Sequence, residues 1–81
     1  MHELSLAADI VDIALQAAGE ARRVTTVYVT LNSGSHLDES RLMDAFEMAA
    51  AGTRLAHATL DVAMTAGERG VATVTAIDVD S

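Results

Sequence analysis

From Leu4 to Glu20 the apolar positions follow a helical period. At about 100° per residue, Ser5, Asp9, Asp12, Gln16 and Glu20 fall on one narrow polar stripe. Leu4, Leu6, Ile10, Val11, Ile13, Ala14, Leu15, Ala17 and Ala18 take most of the remaining surface. An ordinary surface helix hides a narrower arc. This one is therefore expected to touch a sheet on one side and a second helix, or a partner subunit in a homodimer, on the other. Gly19 stands at the approach to its end. Arg22 and Arg23 follow, where positive charge complements the negative helix C-terminus.

The period then shortens to two. Residues 24–31 are rich in β-branched side chains, with Val27, Val29 and Leu31 on one face and Thr26, Tyr28 and Thr30 on the other. Residues 32–36 have the composition of a polar turn. A second helix is expected over residues 39–51, with Leu42, Ala45, Phe46 and Ala49 buried, Asp38 as its N-cap and Gly52 as its C-terminal stop. Met43 and Met48, five positions apart, read as core filler rather than as a soft-metal pair. From Ala58 to Thr65, Leu60, Val62 and Met64 alternate with Thr59, Asp61 and Thr65, the mark of a half-buried strand. Ala66 to Gly70 reads as a turn, and Val71 to Val79 as a third strand.

The order αβαββ implies an α+β fold, a two-layer sandwich with two helices on a three-stranded mixed sheet. A helical crossover makes the first two strands parallel, and the short turn reverses the third. The expected core is Leu6, Ile10, Ile13, Val27, Val29, Leu42, Phe46, Leu60, Val62 and Ile77.

Composition narrows the function. Eighty-one residues suit a single domain, 1–81, because a chain this short hides only about 60% of its unfolded surface. The absence of cysteine excludes disulfides, thiolate zinc sites and a thiol nucleophile. A net charge of −7, with only Arg22 and Arg23 adjacent, argues against nucleic acid as a partner. No apolar run approaches the length of a membrane span and no signal peptide opens the chain, so a cytoplasmic location is expected. Acidic Asp78 and Asp80 read as an exposed strand end.

The chemistry concentrates on histidine. His2 follows Met1, so the terminal amine, the His2 backbone nitrogen and the His2 imidazole Nδ1 can close two fused chelate rings on one metal. That donor set suits Ni(II) or Cu(II), which favour planar nitrogen ligation. It requires a free amine with Met1 retained, and a bulky second residue disfavours removal of Met1. The positive pole of the first helix lowers the amine's proton affinity, while a nearby carboxylate, Glu3 or Asp38, would offset its repulsion of the cation. The spacing leaves the plainer readings open: a frayed terminus that binds nothing, and an Asp38 that only caps its helix. His36, close to Asp38, is a loop residue or an auxiliary ligand; His57 reads as exposed. Ser33, Ser35 and His36 lack a nucleophile elbow, and the chain has no lysine with which to build a phosphate loop.

Met1-His2-Glu3-Leu4-Ser5-Leu6 resembles the opening of the hydrogenase and urease nickel-incorporation family, HypA. Residues 21–31, 37–47, 58–62 and 77–79 are similar to that family's first strand, second helix, second strand and closing strand, in the same order. The resemblance implies a non-enzymatic nickel metallochaperone with [NiFe]-hydrogenase ahead of urease as client. It implies nickel held by the Met1 amine, by His2 through backbone and side chain, and by the Glu3 backbone nitrogen, with Asp38 near the ion. It also implies docking, partly through Glu3, on a GTPase of the HypB type, and delivery to a hydrogenase large subunit. The family's zinc domain, with two Cys-x-x-Cys pairs between the second and third strands, has no counterpart here. Ala66 to Gly70 stands in its place, and no zinc is expected. The competing reading is a metal-free adaptor of the same fold that binds a maturation partner.

Overall fold

A computed structural model describes residues 3–32, 38–66 and 72–80. Helix α1 runs Glu3–Ala18, and β1 follows at Arg23–Asn32. Next come α2 at Glu39–Ala50, β2 at Thr59–Thr65 and β3 at Ala72–Asp80. The expected order αβαββ is the observed one.

Both helices stop slightly short of the expected bounds, α1 two residues before Glu20 and α2 one residue before Ala51. Ala7, Ile10, Val11 and Ala14 form the buried stripe of α1 at the i, i+3, i+4, i+7 spacing of a single helical face. Gly19, at φ 56°, turns the chain out of α1 through the left-handed region that favours glycine. Asp38 caps α2: its backbone is extended, at φ −89° and ψ 123°, and its Oδ1 accepts from the Arg41 N–H at 3.2 Å. Gly52, at φ 78°, closes that helix.

The strand order is β2-β1-β3, with β1 parallel to β2 and antiparallel to β3. The reversed direction of β3 is as expected from the sequence. The two strands flanking the short connection do not pair with each other, however, because β1 lies between them. Val27 sits opposite Leu60 on one side and Ile77 on the other. A register shift between Val24 and Thr26 against β3 lets both Val24 and Val27, three positions apart, point into the core.

α1 packs on α2, on β3 and on β1, while α2 lies over β2. The core between the layers is made chiefly of Ile10, Val24, Val27, Val29, Leu42, Phe46 and Leu55. Leu6, Val62 and Ile77 pack against it half-buried. Ile13 does not belong to it. Its side chain lies on the flank of the apolar arc of α1 and is 50% exposed. Met43 and Met48 are surface residues, not core filler, since α2 buries the opposite face through Leu42, Ala45, Phe46 and Ala50. Met64 shares a face with Leu60 but, near the end of an edge strand, is 57% exposed.

Candidate metal site at the helix N-terminal end

The two helices run in the same direction. Arg54, four residues beyond the end of α2, donates through Nη1 to the carbonyls of Gly19 at 2.6 Å and Ala21 at 2.7 Å. Its Nη2 donates to the Leu15 carbonyl at 3.2 Å. The C-terminal ends of α1 and α2 therefore meet, and with the helices packed side by side their N-terminal turns share the opposite end of the molecule. β1 and β2 finish at that end and β3 begins there, as the pairs Asn32–Thr65 and Leu31–Ala72 require.

Glu3 and Asp38, far apart in sequence, thus open parallel helices at one end of the fold. Glu3 is half-buried in the first turn of α1 and Asp38 is exposed. Both stand at positive helix poles, where a carboxylate is favoured. Asp38 spends Oδ1 on the cap, and the described residues supply no hydrogen bond to Oδ2. Met1, His2 and His36 lie outside the described residues. Among the described residues no three metal-ligating side chains come together. His57 is exposed in the turn between α2 and β2, at the other end of the fold.

Two features escaped the sequence reading. Positive charge at the end of α1 comes from Arg54, not from Arg22 and Arg23; Arg23 instead pairs with Asp80 at 2.9 Å across β1 and β3. On the open face of the sheet the Tyr28 hydroxyl donates to Asp78 Oδ2 at 2.6 Å. That hydrogen bond, followed by the charge of Asp78, holds the tyrosine pKa above its usual value. The alternation of β1 places Tyr28 on this face, but the diagonal partner depends on a register that sequence does not carry.

No described helix is long and apolar enough to cross a membrane. Two parallel helices on a β2-β1-β3 sheet, with acidic residues at both helix starts, define a small α+β domain of a known kind. The solution structure of the Ni metallochaperone HypA from Helicobacter pylori has the same fold, with a TM-score of 0.82 over 100% of this chain and 99% of that one, at 14% identity. The family model for hydrogenase/urease nickel incorporation, metallochaperone, hypA, matches residues 1–70, and the chain belongs to that family. It is 44% identical over 64 residues to the hydrogenase maturation factor HypA of Roseiflexus sp. (strain RS-1), covering 76% of this chain and 52% of the relative. With the HypA of Chloroflexus aggregans (strain MD-66 / DSM 9485) it shares 42% over 62 residues, covering 74% and 54%. The chain spans about half the length of these curated relatives.

Proposed function

We propose that residues 1–81 form one nickel-binding domain of a metallochaperone that carries Ni(II) during [NiFe]-hydrogenase maturation, with residues 66–70 standing where the family's zinc domain is inserted. The cargo ion is held by the Met1 amine, by His2 through its backbone nitrogen and imidazole, and by the Glu3 backbone nitrogen. Asp38 supplies compensating charge from the start of α2. The observation that carries this reading is membership of a nickel-incorporation family whose model covers residues 1–70, the Met1-His2-Glu3 opening included. The shared direction of α1 and α2 supports it, since it brings Glu3 and Asp38 to one end of the molecule. Four nitrogens around a d⁸ ion favour a planar, diamagnetic complex, and the ligand protons lost on binding make affinity rise with pH.

Delivery is to a hydrogenase large subunit, in concert with a GTPase of the HypB type that docks near Glu3. The domain has no catalytic step of its own and works in the cytoplasm. Magnetic and X-ray absorption spectroscopy of the nickel-loaded chain tests the binding reading. One planar, nitrogen-ligated, diamagnetic ion per chain is expected, and His2→Ala should lose it. A chain with a native N-terminus that takes up no nickel would instead support the metal-free adaptor.

A further inference from the structure

At the end of the fold away from the helix N-termini, three of the chain's five arginines line one cleft, although the net charge is −7. The cleft has a volume of about 480 Å³, and among the described residues no carboxylate lines it, although Asp80 lines an adjoining cleft with Arg22 and Arg23. Arg22, Arg23 and Thr25 form one wall at the start of β1; Gly52, Arg54 and Ala56 form the other, in the turn after α2. The Val24 N–H donates to the Arg54 carbonyl at 3.0 Å and clamps the two walls together.

The arginines are held differently. Arg54 is fixed by the carbonyls of Leu15, Gly19 and Ala21, which carry only partial charge, and it has no counter-ion among the described residues. A guanidinium has five N–H groups, and these three bonds leave Nε–H and one Nη2–H unspent. Arg23 is paired at the rim with Asp80 at 2.9 Å. Arg22 is exposed and has no ion pair among the described residues. His57 also lines a second cleft, together with Asp44 and Glu47.

We infer that this cleft is a docking site for an acidic peptide segment of a partner protein. Planar guanidinium groups fixed in place match carboxylates in geometry as well as charge. Ala56 and Gly52 leave apolar wall between the arginines, against which the stem of a glutamate or a neighbouring apolar residue can lie. The chain as a whole carries a net charge of −7, so three arginines at one cleft concentrate the attraction for such a segment there. A partner seated here leaves the helix N-terminal end uncovered. The inference does not depend on the nickel reading.

A ¹⁵N NMR titration with capped hexaglutamate tests it, with hexaglutamine and inorganic phosphate as comparison ligands. Hexaglutamate should shift the amides of Arg22, Arg23, Thr25, Gly52 and Ala56 saturably, and less so as salt rises. Hexaglutamine should not. The double variant Arg22→Gln/Arg23→Gln should weaken binding about tenfold, in line with the loss of two exposed charge contacts, whereas Arg41→Gln, outside the cleft, should bind as the parent does. Shifts scattered over the surface, or equal binding by the double variant, would overturn the site. Phosphate reproducing the same saturation at equal charge would overturn the peptide assignment.

Discussion

The guanidinium of Arg54 reaches the carbonyl of Gly19, 35 residues earlier in the chain, at 2.6 Å. This single side chain supplies the positive charge that the end of α1 needs and joins it to the turn after α2. Hydrogen bonds from a charged donor contribute roughly 1.5–3 kcal/mol, and Arg54 is partly buried, so some of that is screened by solvent. Arg54→Met keeps the length of the stem and removes the donors; a loss of about 2 kcal/mol in urea unfolding is expected. Arg22→Met, which leaves these carbonyls satisfied, should stay within about 0.5 kcal/mol of the parent.

Local order was legible in the sequence and lateral order was not. Asp38 and Gly52 announce both ends of α2 because capping is a matter of a few neighbouring residues. Alternation in β1 and β2 gives the face of each side chain, yet it is satisfied equally well with β3 beside either strand. Hence the order β2-β1-β3 could not be read. Ile13 fits the apolar arc of α1, but an arc can be wider than the partners that cover it. Arg54 gave no signal, since its acceptors are backbone carbonyls and carry no residue identity. As for the proposed metal site, the residue types at Met1, His2, Glu3 and Asp38 suggest it, and topology adds only that Glu3 and Asp38 lie at the same end of the fold.

Two positions on α1, three residues apart, should respond very differently to truncation. Ile10 is 2% exposed and Ile13 50%. Ile10→Ala leaves a cavity and should cost about 2–5 kcal/mol. Ile13→Ala loses little buried surface and gains helix propensity, so its effect should lie within about 0.5 kcal/mol of zero. Phe46→Ala, at 3% exposure, belongs with Ile10 and should cost about 3–5 kcal/mol. Chemical denaturation of the three variants checks the order.

Tyr28 is the chain's one tyrosine and there is no tryptophan, so ultraviolet absorbance during alkaline titration follows this hydroxyl alone. The bond to Asp78, and then the charge of Asp78, oppose ionisation. The midpoint should lie above the usual value of about 10. Because the folded pKa exceeds the unfolded one, the stability this interaction contributes is fully present below the unfolded value. It is lost as pH rises through the folded pKa. Asp78→Asn removes the charge and should bring the midpoint down; an unmoved midpoint would mean that the two side chains do not interact in solution.

Asp38 allows capping to be separated from charge. Asparagine caps a helix about as well as aspartate, so Asp38→Asn should nearly preserve the melting temperature, while Asp38→Ala should cost about 0.5–2 kcal/mol. If the Asp38 carboxylate supports the bound cation, nickel affinity falls in the Asn variant although its fold is intact. Equal affinity in parent and variant would reduce Asp38 to a cap.

The proposal that nickel is bound by the Met1 amine and His2 meets its most direct test in calorimetric titration of two untagged proteins, one with a free Met1 amine and one with that amine acetylated. Acetylation leaves every side chain in place and removes only the amine as a donor. One nickel ion per chain is expected for the protein with a free amine, with protons released on binding, and loss of that site for the acetylated one. The same affinity and stoichiometry in both would contradict an N-terminal nickel site.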